Sequence, residues 1–169
     1  DQSKGRANLR MALARLGDDL KEARSVLQVQ RDSIGIQVQH LELDVQGLEA
    51  TLVHRGLPET DQEAQLTAAV QLFRGDLLEG FDLDDAPEFE DWLLMQRELV
   101  RGRLDALLER LGALQYHGGR LDSALQTAQR RLRLEPLNED AHRQVIEMHL
   151  SGGNRSAALE AFNACAQIL

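Results

Sequence analysis

The pair Gly118-Gly119 returns as Gly152-Gly153, a shift of 34 residues. The same shift lays Ala124-Leu125 on Ala158-Leu159 and Leu111 on Val145. An internal period of this length is one helix–turn–helix unit, and such units bury their apolar faces by stacking on one another. The spacing has a physical cause. Small residues are needed where paired helices approach closely, glycine makes the turn, and a proline such as Pro136 opens the next unit. The last third of the chain is therefore expected to be a pair of antiparallel helix hairpins.

Thirty-four residues is the tetratricopeptide period. The first unit, near 105–138, carries Leu111-Gly112, Gly119, Ala124 and Pro136 at the expected offsets; the second carries Gly153, Ala158 and Phe162. The units are divergent. Gln115 and His149 stand where an aromatic is usual, and Ile146 replaces the helix-contact glycine. A further shift of 34 towards the start matches weakly, so an earlier unit would be irregular.

Composition supports helix throughout. Apolar residues make up 43% of the 169 and aromatics only 4%, so a core must be built from Leu, Ala and Val. Leu, Ala, Glu, Arg and Gln lose little rotamer freedom in a helix. Residues 3–16 read as an amphipathic helix with Leu9, Leu13, Leu16 and Leu20 in one stripe. Lys4, Asn8, Arg10, Met11 and Arg15 fall outside that stripe, and Gly17-Asp18-Asp19 should end the helix.

The period then changes. Residues 26–30 and 34–39 alternate apolar and polar side chains around Arg31-Asp32-Ser33, which predicts a β-hairpin. Leu41 to Val45 extends the second strand, or Asp44 caps a helix carrying Val45, Leu48 and Leu52. Residues 56–61 have linker composition. A helix with Leu66, Ala69, Val70, Phe73 and Leu77 on one face follows, then an acidic loop from Gly80 to Pro87, then a long helix from about Glu88 to Tyr116.

Net charge is −9, unevenly spread. Lys4, Arg6, Arg10 and Arg15 occur with no acidic residue between them, whereas residues 57–100 hold twelve acidic and two basic residues. Two surfaces with different partners are expected. A basic helix face can lie in the major groove, where Arg and Asn read base edges and others hold phosphates. By charge alone, the opening helix is either such a contact or an ordinary solvated helix.

The order of elements, with specific residues, adds a resemblance. Residues 3–16, Ser-Lys-Gly-Arg-Ala-Asn-Leu-Arg-Met-Ala-Leu-Ala-Arg-Leu, resemble the recognition helix of the winged helix in antibiotic-regulator-type activators, and residues 26–38 resemble the wing. Residues 75–80 (Gly-Asp-Leu-Leu-Glu-Gly), 87–93 (Pro-Glu-Phe-Glu-Asp-Trp-Leu) and Arg97-Glu98 resemble the bacterial transcriptional activator domain that follows it. The fold so implied is mainly α: a tetratricopeptide-like domain at 56–169, preceded at 1–55 by part of a winged helix with a short β-hairpin. The resemblance implies a DNA-binding regulator of transcription. Lys4, Asn8, Arg10 and Arg15 would face the major groove and Arg31 the flanking backbone. Promoter DNA would be one partner, and RNA polymerase or another regulatory protein the other; a homodimer is compatible with this architecture. Neither end of the sequence falls between elements, so a piece of a longer protein is expected, with the helices that brace the recognition helix ahead of residue 1. The rival is a tetratricopeptide scaffold that binds protein and not DNA.

Other chemistries find little support. The acidic run from Asp82 fails as a calcium loop, because its sixth position is Pro87 and its twelfth Leu93. His142 and His149 share a helix face but lack a third ligand. The glycine pairs lack the Lys-Ser/Thr of a phosphate loop. No cofactor, metal or enzymatic activity is expected. Trp92 is expected in the core, and Cys165, the single cysteine, as a small buried hydrophobe. No apolar run reaches the roughly 18 residues of a membrane span, and a cytoplasmic protein is expected.

Overall fold

Leucine, alanine and valine at helical spacing, punctuated by glycine turns, produce seven α-helices and one small hairpin among the described residues. The computed structural model describes residues 2–30, 33–37, 43–53, 58–83 and 85–168. Two compact units divide between Leu43 and Asp44.

The first unit holds α1 (Gln2–Asp19), a 3-10 segment (Lys21–Val26) and the antiparallel strands β1 (Leu27–Val29) and β2 (Ile34–Ile36). The hairpin appears where alternation predicted it. Leu27 pairs with Ile36 and Val29 with Ile34, so the four apolar side chains share one face. The strands are three residues each, and the expected positions 38–39 and 41–42 lie outside the described residues. The helix does not stop at Gly17. That glycine is buried inside α1, and a Cβ there would stand 3.0 Å from Arg24 Nε, so its small size admits the Arg24 side chain.

The second unit begins earlier than the expected boundary at 55/56. Helix α2 (Asp44–Val53) belongs to it, because its stripe is needed there: Leu48 is buried, and Val45 and Leu52 pack on the same core. Asp44 is the first residue of this helix, and its Oδ1 accepts from the adjacent Val45 amide at 2.8 Å, a local contact and not the bond to the second or third helical amide that a cap makes. Helix α3 (Glu59–Leu72) starts directly after Pro58, so 59–61 form its first turn rather than a linker; residues 56–57 lie outside the described residues. Leu66, Ala69 and Val70 are buried as expected, and pack on Val100, Leu104, Leu107, Leu108 and Leu111 of α4 (Pro87–His117). Pro87 stands in the first turn of α4, where its missing amide costs nothing.

Helices α5 (Leu121–Leu134), α6 (Glu139–Ser151) and α7 (Arg155–Ile168) complete the unit. The 34-residue period holds bond by bond at the turns. The amides of Gly118, Gly119 and Arg120 donate to the carbonyls of Leu114, Tyr116 and Gln115; those of Gly152, Gly153 and Asn154 donate to Met148, Leu150 and His149. Gly119 and Gly153 both have φ +75°, a conformation costly for residues with a Cβ. Ala124 and Ala158 are buried at the helix crossings. The departures from the repeat also have reasons. Gln115 accepts a hydrogen bond from Thr127 Oγ1 at 2.8 Å, a buried polar link in place of an aromatic contact. A Cβ on Gly112 would meet Thr127 at an ordinary 3.5 Å, so this position does not demand glycine, and its counterpart is Ile146.

Phe162, the counterpart of buried Ala128, is exposed, because Ala128 lies in the α5–α6 core and no described helix covers that face of α7. Cys165, expected as a small buried hydrophobe, is only half-buried for the same reason.

Candidate nucleic-acid interface

Helix α1 carries the expected DNA-facing residues on an open surface. Lys4, Asn8, Arg10 and Arg15 are all exposed, and Arg31 lies outside the described residues. At 100° per residue, Lys4, Asn8 and Arg15 group on one side of the helix. Arg10 does not join them. It stands with Arg6 beside the leucine stripe, and both line an open groove of about 890 Å³ with Leu9, Leu13, Val29 and Ile34. The basic residues therefore form two rows rather than one. Arg6, counted in the charge pattern but left out of the expected site, belongs to the second row.

The stripe itself is not covered within this unit. Leu9 is 52% and Leu16 43% exposed, and Val29, Ile34 and Ile36 are exposed on the hairpin. One helix and two three-residue strands offer too little apolar surface to bury it. Arg24 turns back to Asp18 at 3.7 Å, an exposed pair of small energetic weight.

The second unit is held by arginine forks rather than by a reactive cluster. Arg131, 3% exposed, sets Nε on Asp105 Oδ1 at 2.8 Å and Nη2 on Oδ2 at 2.9 Å, while Nη1 donates to Gln144 Oε1 at 3.0 Å. It thereby ties α4, α5 and α6 together. Burial alone would lower the Arg131 pKa; the hydrogen bond to Asp105, and the charges of Asp105, Glu109 and Asp140, outweigh it and raise it. Arg130 goes the other way. Burial, then the charge of Arg133, lowers its pKa, and its Nη2 donates to the carbonyls of Val70 and Phe73 at the end of α3.

The loop before α4 is fastened similarly. Arg97 donates to the Leu77 and Leu78 carbonyls at 2.9 and 2.8 Å, and Arg101 grips both carboxylate oxygens of Asp76 with its Nε and Nη2. That hydrogen bond holds the Asp76 carboxyl below its usual range. Leu78, fixed between these anchors, has φ +50°.

Trp92 is not in the core. It is 47% exposed and packs on Phe89 at 5.6 Å between ring centroids, and Phe89 meets Phe81 edge-on at 5.9 Å. Its neighbour Leu93 is the buried residue. The aromatics thus make a surface cluster beside Asp82, Glu88 and Asp91. His142 supports the fold: its Nε2 donates to the Pro136 carbonyl at 2.9 Å, pinning the α5–α6 turn. Among the described residues no three His, Cys, Asp or Glu side chains are grouped to hold a metal, and no helix is long and apolar enough to cross a membrane.

A model of the family described as bacterial transcriptional activator domain matches residues 43–169, nearly the span of the second unit. The chain belongs to that family. No curated protein and no solved structure shows significant similarity to it. In the activator domain so defined, the residues that suggested the family divide by role. Asp76, Leu77 and Leu78 form the anchored loop and Arg97 anchors it; Leu93 builds the core and Trp92 faces solvent. Sequence reading overlooked this aromatic surface because Trp92 and Leu93 are both apolar, and helical spacing alone does not say which of the two faces the core.

Proposed function

We propose that the chain works in a DNA-binding transcriptional regulator, with α1 and the hairpin addressing promoter DNA and the activator domain making contacts with RNA polymerase or another regulatory protein. The family match at 43–169 carries the regulatory reading. The DNA reading rests on the exposed basic rows of α1: a helix presenting Lys4, Asn8, Arg15 and, beside the groove, Arg6 and Arg10 fits the major groove in width and charge. The open leucine stripe supports a winged-helix role, since that face of a recognition helix packs on bracing helices. On this reading residues 1–43 are the DNA-facing part and 44–169 the partner-facing part.

The repeated turns favour one alternative, a tetratricopeptide-type scaffold that binds protein without DNA. Salt-dependent binding of a promoter duplex by the natural full-length protein separates the two. Affinity that falls with salt, and that weakens when Arg10 and Arg15 are both replaced by Ala, supports the regulator. A natural full-length protein that does not bind the duplex supports the scaffold, and an affinity unchanged by that replacement removes α1 as the reader.

A further inference from the structure

The surface around Phe81, Phe89 and Trp92 carries charge of one sign. Residues 75–96 contain eight acidic residues and no Lys, Arg or His. Asp82, Asp85, Glu88 and Asp91 are exposed, and among the described residues their carboxylates make no hydrogen bond or ion pair. Glu90 differs: it accepts from the Leu83 amide at 2.8 Å and so folds the loop onto the first turn of α4. Arg97 and Arg101, the next basic residues along the chain, are committed to the Leu77 and Leu78 carbonyls and to Asp76 and Glu98. The N-terminus of α4 supplies about half a positive charge, which does not neutralise four carboxylates.

An apolar surface lies among these charges. Glu88, Asp91, Trp92 and Met95 fall on one side of α4 by helical spacing, away from the buried Leu93, Val100 and Leu104. Trp92 and Met95 are 47% and 62% exposed, and Phe81 and Leu83 of the loop are exposed as well. Phe81 stands edge-on to Phe89, and Phe89 lies against Trp92. The rings therefore hold one another, and the bond from Leu83 to Glu90 holds the loop beside them. A partner meets a surface already ordered, so docking costs little conformational entropy on this side.

Charge selects the occupant. Four free carboxylates repel nucleic acid, anionic lipid and a second copy of the same face. A cation gains twice here, because the carboxylates accept its N–H groups and the open face of Trp92 attracts its charge. Arginine suits this better than lysine, since the guanidinium is planar, stacks on aromatic rings and is more weakly hydrated. We propose that the acidic aromatic face of the activator domain docks an arginine-bearing amphipathic segment of a partner protein. Its arginines lie between Trp92 and the carboxylates of Glu88 and Asp91, and its apolar side chains cover Phe81, Leu83 and Met95. The proposal rests on the partner-facing role given to this domain and does not depend on DNA reading by α1.

Trp92 is the only tryptophan of the chain, so its fluorescence reports on this face alone. The probe is a labelled peptide of about 18 residues, long enough to hold a helix, with Leu at helical spacing and Arg between. Counterparts with Lys or Glu in place of Arg are the comparisons. Titration of the chain with the Arg peptide should change Trp92 emission saturably, the Lys peptide should bind more weakly, and the Glu peptide should not bind. By anisotropy of the label, Glu88→Gln with Asp91→Asn should weaken Arg-peptide binding about fivefold, and Trp92→Leu about threefold. Glu147→Gln with Glu160→Gln, the same change of charge at exposed positions of α6 and α7, should leave it nearly unchanged. An Arg peptide that does not bind overturns the proposal, and so does a Lys peptide that binds as tightly. Equal losses from the two carboxylate pairs overturn it too, since net charge would then suffice. Binding indifferent to Trp92→Leu and to the Glu88 and Asp91 changes overturns it by moving the contact to another face, and leaves the partner-facing reading of the domain in place. Promoter binding by the natural full-length protein is measured apart from all of these.

Discussion

Arg131 lays one edge of its guanidinium, Nε and Nη2, on the carboxylate of Asp105, at 2.8 and 2.9 Å, with only 3% of the arginine side chain exposed against 26% of the aspartate. Replacing Arg131 by Ala strands Asp105 and Gln144 and opens a cavity between α4, α5 and α6. Removing one partner of a buried pair costs about 3–5 kcal/mol, and the water that reaches Asp105 places this case near the lower limit. Arg131→Lys should recover little, since an ammonium cannot reproduce the fork. Urea denaturation of both variants checks this; a loss under about 1 kcal/mol for Arg131→Ala would show that the fork is dispensable.

Acid should loosen the loop before α4. The hydrogen bond from Arg101 holds the Asp76 pKa below its unfolded value. A depressed carboxylate contributes stability that is fully present above the unfolded value, about 3.9, and is lost as pH falls through the folded one. Unfolding free energy measured from pH 6 downwards should therefore decline below about pH 4, and Asp76→Asn should flatten part of that decline. An unchanged profile in the variant would place the acid sensitivity elsewhere.

The two repeat turns should respond alike. Gly119 and Gly153 share φ +75°, and neither would bring a Cβ within 4 Å of another group. Alanine at either position meets only the backbone penalty, about 1–2 kcal/mol. Thermal melts of the two single variants should agree closely. A loss at one turn and none at the other would break the equivalence.

Ala124 and Ala158, 0% and 3% exposed, stand where helices cross. Leucine at either site should overpack it and cost about 1–3 kcal/mol. Ala124→Leu should cost more, because Ala124 is in the α5–α6 core while α7 is covered on one side only. Equal melting temperatures for wild type and both variants would count against close packing at these crossings.

For DNA, the two rows on α1 predict different losses. Removing a phosphate contact should weaken all sequences alike and reduce the salt slope by about one. Removing a base contact should cost about 1–3 kcal/mol at a single position of the site. In the natural full-length protein, Arg6→Ala and Arg10→Ala should behave similarly to each other and differently from Arg15→Ala, since Arg6 and Arg10 line the same groove. Titrations at several salt concentrations against specific and scrambled duplexes will sort them.

Where a residue's chemistry allowed one local conformation, the sequence alone was sufficient. The turns at Gly118-Gly119 and Gly152-Gly153 were legible because a positive φ excludes most side chains, and the hairpin because alternation has no helical reading. The core stripe of α3 followed from helical spacing in the same way. Tertiary structure decided which of several apolar faces became the inside. Leu9 and Leu16 look like core and are exposed, while α2 joins the second unit because its Leu48 completes that core. Gly17 reads as a helix stop and instead makes room for Arg24. Trp92 and Leu93 are equally apolar, yet one is 47% and the other 0% exposed. Periodicity places a side chain on a face, but burial depends on what packs against that face, and that partner comes from residues distant in the chain.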